Sequence, residues 1–392
     1  MADPSQSSSE LSNTRVVVLM VDDQAMIGEA MRRICASQPD IEYHFCSDPT
    51  KAVETATKLE PTVILQDLVM PGIDGLDLVL HYRQNEATKL VPLVVLSSKE
   101  DATTKAEAFA RGANDYMVKL PDPLEIIARL RYHSRGYRAL LERNAAYQHI
   151  KNELDQASDY VKSLLPATLD SADLKVHGRF IPSAQLGGDF FGWSELPDDH
   201  LAIFLIDVCG HGVGPALLSV SVSNALHAGG FSNAELLNPA KVMTRLNAAF
   251  PMTQHRGMYF TGWYAVLHRP TRKLTWAGAG HPPAIVIRSS GDYLELDSLG
   301  TPVGIVPDFE YEQSTMTMEA GDRLFIYSDG IVEIPKPDGT VWSYSEFLAF
   351  LQTDALRTPD PIARMLQYTT GLQGSDQYTD DVSIVELALT LK

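Results

Sequence analysis

The stretch SAQLGGDFFGW, residues 183–193, places Asp189 directly after two glycines and ahead of two aromatic residues. Glycine has no Cβ, so another backbone or a ligand can approach closely, and a carboxylate in that setting is a candidate partner for a charged group. Working outward, three more acidic sites have the same character. Asp207 ends the apolar run LAIFLIDV and opens DVCGHG, Asp329 follows an apolar run in YSDG, and Asp380 and Asp381 precede the final run VSIVEL. One Asp-Gly is usually only a turn. Aspartates at four separate strand edges, with no matching histidine or cysteine set, instead point to hard, octahedral cations such as Mg²⁺ or Mn²⁺.

Around these sites, within residues 166–392, strand-like runs dominate: KVHGRFIPS, LAIFLIDV, MYFTGWYAVLH, KLTWAGAG, PAIVIRSS, DRLFIYSDG and VSIVELALT. Helical patterns fall at 213–229, 235–249, 344–353 and 360–370. Strand runs with grouped helices predict stacked mixed layers rather than a parallel sheet.

Residues 14–136 read differently. VVVLMV, IEYHFC, PTVILQD, VPLVVLS and NDYMVK are short strand candidates separated by amphipathic helical stretches, the pattern of an α/β, doubly wound parallel sheet. In such sheets the site lies at the carboxyl ends of the strands. Asp22 and Asp23 stand at the end of the first strand, Asp67 at the third, Ser97 at the fourth and Lys119 at the fifth. Three converging carboxylates call for a hard cation, Mg²⁺. One of them can act as nucleophile toward a phosphoryl donor, with Lys119 and the Ser97 hydroxyl holding the added oxygens.

The bulk numbers agree with two domains. The chain has 392 residues, 45% hydrophobic and 21% charged, and a net charge of −18, which repels nucleic acid and anionic lipid. No apolar run reaches the roughly 20 residues of a membrane helix. Residues 1–13 carry neither a basic start nor an apolar stretch and read as a disordered tail, not a signal peptide. Cys35, Cys46 and Cys209 have no CxxC spacing, which fits a reducing cytoplasm without a disulfide framework. Between the domains, at 137–165, Leu140, Tyr147, Leu154 and Val161 recur every seven residues, with Ile150, Ala157 and Leu164 three places on and Arg143 as the misfit. A parallel coiled-coil homodimer is the favoured reading of this linker, and a single amphipathic helix lying on one domain is the alternative.

With those residues in view, the first domain resembles the receiver domain of two-component response regulators, through VDDQ, QDLVMPGIDG, VLSS and GANDYMVKLP. The resemblance implies Asp67 as phospho-acceptor from a sensor histidine kinase or phosphotransfer protein. It also implies Asp22, Asp23 and Asp67 as Mg²⁺ ligands, Ser97 and Tyr116 as switch residues, and Lys119 as phosphate partner. Receivers usually follow that lysine directly with a cis proline; here Leu120 stands before Pro121.

The second domain resembles the metal-dependent type 2C serine/threonine phosphatases, closest to their sporulation and stress-response branch. The motifs LLP, GGDFF, DVCGHG, YFTGWY, AGHPP, LGTPVGI, YSDGIVE and TDDVSI occur in that order. The resemblance implies an α/β/β/α sandwich with two Mn²⁺ or Mg²⁺ ions. Asp207 would bridge them, the Val208 carbonyl would add an oxygen, Asp189 would serve one ion, and Asp329 and Asp380 the other. Asp381 is a weaker candidate, because the family tolerates asparagine there. By analogy the substrate is a phosphoserine-bearing anti-sigma-factor antagonist. A non-catalytic adaptor binding a sigma or anti-sigma factor is the alternative. Gly-Gly-Asp also resembles the cyclic-dinucleotide synthase signature, but those enzymes need an acidic residue where Phe190 stands, and no other cyclase motif occurs. Cys209 lacks a basic neighbour to activate it, and His211 and His281 read as structural. Arg179 lies upstream of Asp189 without the spacing of the animal enzymes' phosphate clamp, so the clamp and the general acid stay unassigned.

Overall fold

The computed structural model describes residues 15–98, 101–227, 229–353 and 358–390; the expected tail at 1–13 lies outside them. The chain forms two compact units that divide between Ile150 and Lys151. No helix among the described residues is long and apolar enough to cross a membrane.

In the first unit β1 (Val16–Val21), β2 (Ile41–Cys46), β3 (Val63–Asp67), β4 (Leu93–Ser97) and β5 (Asp115–Val118) form one parallel sheet in the order β2-β1-β3-β4-β5. The alternation of side chains across a strand divides β1 between two cores. Leu19 and Val21 pack with Ala52, Leu78, Val79 and Tyr82 on one face. Val18 and Met20 pack with Ile27, Met31, Ile126 and Leu130 on the other. The sheet is therefore covered on both sides, as the continuous apolar strands require. The helices are α1 (Ala25–Ala36), α2 (Ala52–Leu59), α3 (Gly75–Gln84), α4 (Ala102–Ala110) and α5 (Pro123–Ser163).

The last of these, α5, continues through the predicted linker as one helix. Its residues Ile126, Ile127 and Leu130 are buried in the first unit. Within the second unit Val161 is buried, and Leu154 packs against the same core. Two of the seven apolar seam residues, Leu154 and Val161, thus lie on the unit's own core. Tyr147 and Ile150 remain 63% and 60% exposed.

The second unit stacks two antiparallel sheets. One has the order β7 (Phe190–Leu196), β8 (His200–Val208), β9 (Phe260–His268), β10 (Lys273–Ala279), β13 (Ser314–Thr317). The other has β12 (Tyr293–Leu296), β11 (Ala284–Ile287), β14 (Arg323–Tyr327), β15 (Val382–Leu389), β6 (Leu174–Ile181) and a two-residue strand at Leu169–Asp170. Along β8, Leu201, Ile203 and Leu205 face the space between the sheets, against Leu324, Ile326, Val385 and Leu387. The alternate residues Ala202, Phe204 and Ile206 face α6 (Val213–His227) and α7 (Pro239–Ala249). On the far side α8 (Tyr344–Leu351) and α9 (Pro361–Gln373) cover Phe325, Tyr327 and Ile384. These helices are locally specified. Pro239 and Pro361 open α7 and α9 behind Asn238 and Asp360 caps, and a Ser343/Glu346 capping box opens α8. The result is the predicted α/β/β/α sandwich.

Candidate metal centres of the two units

In the first unit, chain direction in a parallel sheet delivers Asp22, Asp67 and Lys119 to one end. Asp22 and Asp67 are 0% and 1% exposed. Lys119 Nζ lies 3.2 Å from Asp22 Oδ2 and 2.7 Å from Asp67 Oδ2, and its amide donates to the Ser97 carbonyl at 2.7 Å. One carboxylate oxygen each from Asp22, Asp23 and Asp67 come within 4.8 Å of one another. Three carboxylates face one ammonium, and Asp23 Oδ1 and Asp67 Oδ1 are buried without a hydrogen-bond partner. That surplus of buried negative charge fits a divalent cation. Burial raises the Asp22 pKa above its ordinary value, against the pull of Gln24 and Lys119. For Lys119 burial opposes the charge, but Asp67 and Asp22 outweigh it and hold the ammonium pKa above normal. Ser97 and Tyr116 line one cavity of about 530 Å³ together with Leu68 and Thr104. The extra residue before Pro121 is absorbed by Leu120, which takes left-handed backbone (φ 54°), and the peptide bonds of the described residues are all trans.

In the second unit the two sheets each bring acidic residues to the same region. Phe190 pairs with Ile206 across β7 and β8, which sets Asp189 beside Asp207. Tyr327 pairs with Ile384 across β14 and β15, which sets Asp329 near Asp380. Burial and then the neighbouring Asp329 charge lift the Asp207 pKa to about 7. Burial and then Asp207 push Asp189 well above the carboxylate range. Asp329 is raised by burial, Asp380 and Glu333, in that order. Both oxygens of Asp189 are buried without a hydrogen bond. Among the described residues no lysine or arginine pairs with Asp189, Asp207, Asp329 or Asp380, although other arginines and lysines of this unit form ion pairs. Charges so arranged must hold protons or cations. The set forms adjoining pairs: among the described residues only the first unit's triad brings three ligand atoms within 4.8 Å. The Val208 carbonyl faces Gly188, where an added Cβ would lie 2.5 Å from it. Only glycine fits there, which explains the residue before Asp189.

Asp381 has a role the sequence did not reveal. It is 4% exposed, and its Oδ1 accepts hydrogen bonds from the Ser183 amide at 2.8 Å and the Ser183 hydroxyl at 2.9 Å. Its Oδ2 accepts one from the Gly188 amide at 2.6 Å. It ties down the loop that carries Asp189, across 193 to 198 positions of sequence, a separation no local pattern can signal. The Cys209 Sγ accepts from the Tyr259 amide at 3.3 Å. His281 is buried, which lowers its pKa to about 4, and Nδ1 lies 2.9 Å from the Pro282 carbonyl; His211 is exposed. Arg179 lies 3.4 Å from Asp360.

Residues 197–390 match the family model described as stage II sporulation protein E (SpoIIE), and residues 18–131 match the response regulator receiver domain. The phosphoserine phosphatase RsbP of Bacillus subtilis (strain 168) is 27% identical over 187 residues, covering 47% of this chain and 46% of its own length. The phosphoserine phosphatase RsbU of the same organism is 25% identical over 194 residues, covering 49% and 57%. The chain therefore spans about half the length of these relatives. The solved SiaA-PP2C domain of Pseudomonas aeruginosa superposes with a TM-score of 0.53 at 22% identity, covering 63% of this chain and 99% of that one. At that identity it speaks for the fold.

Proposed function

Because this chain joins a response-regulator receiver domain to a metal-dependent phosphatase domain of the SpoIIE and type 2C kind, we propose that it is a phosphoserine/phosphothreonine protein phosphatase controlled by phosphorylation of Asp67. The observation that carries the reading is the uncompensated acidic set, with Asp189 buried and unbonded beside an Asp207 whose pKa is lifted to about 7. In this reading Asp207 would hold both ions, Asp189 and the Val208 carbonyl one of them, and Asp329 and Asp380 the other. Two divalent ions there would activate a water for in-line attack on phosphorus and screen the charge on the transferring oxygens. Asp381 keeps the Asp189 loop in place.

On the receiver, Asp67 would accept the phosphoryl group from a histidine kinase or phosphotransfer protein. Asp22 and Asp23 would hold Mg²⁺ with it, Lys119 would bind the added oxygens, and Ser97 and Tyr116 would report the change. That RsbP and RsbU are phosphoserine phosphatases supports a phosphoserine substrate, which we take to be an anti-sigma-factor antagonist in a partner-switching pathway. The exposed Tyr147 and Ile150 of α5 support a homodimer through this helix.

The test is phosphate release from a phosphoserine anti-sigma antagonist, with Mn²⁺ or EDTA, and with or without beryllofluoride on the receiver. Release that needs Mn²⁺, disappears in Asp207→Ala and changes with beryllofluoride is expected. No release from folded protein under any condition would turn the reading toward a non-catalytic adaptor.

A further inference from the structure

Cations held by the aspartates would not cover every oxygen of a phosphate monoester, and a guanidinium at the rim of the centre would hold the remaining oxygens by charge-assisted hydrogen bonds. Most arginines of the second unit are already committed: Arg245 to Glu235 at 2.8 Å, Arg269 to Asp173 at 2.6 Å, Arg288 to Asp322, Arg323 to Glu386. Arg179 at 3.4 Å from Asp360 belongs to the same group. Among the described residues of the unit's two sheets and their turns, the cations whose side chains have no such partner are Lys175, Arg256, Arg272 and Lys273. Three of them stand at the wrong end. Lys273 pairs with His268 at the far end of β9, next to Arg272, and Lys175 pairs with Ala388, away from the Val382 end of β15.

Arg256 stands at the right end. It lies in the turn between α7 and β9, ahead of Thr261, which faces Asp207 across β8 and β9. The turn is fastened to the backbone just past Asp207. Cys209 donates its amide to the Tyr259 carbonyl at 3.1 Å, and the Tyr259 amide donates to Cys209 Sγ at 3.3 Å. On its other side the Met252 amide donates to the Gly304 carbonyl at 3.0 Å. Internally the Gly257 amide reaches the Met252 carbonyl at 2.9 Å and the Met258 amide reaches His255 at 3.0 Å. Arg256 and Gly257 both take left-handed backbone, φ 54° and 82°, so a tight, doubly anchored turn carries the exposed Arg256 at the Asp207 end of β9.

We propose that Arg256 is the phosphate-contacting residue of this site, donating to the phosphoryl oxygens of the substrate while the aspartates hold the cations. The proposal rests on the phosphatase reading above and assigns the clamp that motif spacing left open. Its substrate class is a phosphate monoester dianion, and the contact is to the phosphoryl group, not to the protein that carries it.

The test compares the full chain with its Arg256→Ala and Arg256→Lys variants at saturating Mn²⁺. Steady-state kinetics are read with p-nitrophenyl phosphate and with a phosphoserine protein, together with inhibition by inorganic phosphate. In Arg256→Ala, KM for both substrates and the inhibition constant of inorganic phosphate should rise about tenfold or more. Arg256→Lys should recover part of the loss, because it keeps the charge but not the planar fork. Mn²⁺ affinity by calorimetry and the melting temperature should stay at wild-type values. Unchanged inhibition by phosphate, an effect confined to the protein substrate, or a parallel fall in Mn²⁺ affinity would each overturn the assignment. A wild-type chain that hydrolyses neither substrate would instead bring down the phosphatase reading, and this one with it.

Discussion

His281 is enclosed, 4% exposed, with Nε2 buried and unpartnered. Burial lowers its pKa to about 4 from the ordinary 6.5, so the fold holds the ring neutral where an unfolded chain would protonate it. The stability this contributes is fully present above pH 6.5 and is lost as pH falls through about 4, at most roughly 3 kcal/mol. Thermal scans from pH 7 down to pH 4 should show a steeper acid loss for wild type than for His281→Asn; equal slopes would refute the account. Asp381 makes a second residue-scale case. Hydrogen bonds to a charged acceptor are worth about 1.5–3 kcal/mol each, and Asp381→Ala removes three that hold the Asp189 loop. We expect Mn²⁺ affinity of the second unit to drop at least about tenfold, with Asp381→Asn closer to wild type because one oxygen still accepts. Calorimetric titration decides, and an unchanged affinity in the alanine variant would make the tie irrelevant to the centre.

At the scale of elements, β8 serves both faces of its sheet. Leu205, 0% exposed, fills the space between sheets, and Leu205→Ala should cost about 2–5 kcal/mol in urea unfolding. A loss below about 1 kcal/mol would mean the sheets can close over the gap. The helix α5 separates two claims that one heptad pattern had merged. Val161 is 8% exposed within the second unit, so Val161→Asp should lower the melting temperature. Tyr147 and Ile150 are exposed, so Tyr147→Ser/Ile150→Ser should leave melting nearly unchanged and shift the light-scattering mass from dimer to monomer. A wild-type chain already monomeric at micromolar concentration would exclude pairing through this face.

At the scale of the molecule, two units with separate cores are joined in sequence through α5. The proposed signal enters at Asp67 and leaves at Asp207, so a change in the first must alter the rate at the second. Beryllofluoride should change the Mn²⁺-dependent rate of the full chain, and Asp67→Asn should abolish that response while keeping a basal rate. A variant that still responds would place control elsewhere. The charge of −18 argues that the partner is not nucleic acid.

Much of this was legible in the chain itself. Apolar runs with period two or continuous burial mark β1, β3 and β8, and their last residues are Val21, Asp67 and Val208, so the candidate aspartates could be located from strand ends alone. Glycines beside Asp189 and Asp329 likewise announced close backbone approach. These features are local: they follow from side-chain alternation, turn chemistry and residue type within a few positions. Other features depend on which distant residues meet. Asp381 bonds to Ser183 and Gly188 only because β15 pairs with β6. Arg256 is distinguished only by its missing partner and by the end of β9 at which it stands. The heptad at α5 splits because an apolar stripe marks a face to be buried, but what covers it is set by tertiary packing, here the second unit's own core for Leu154 and Val161.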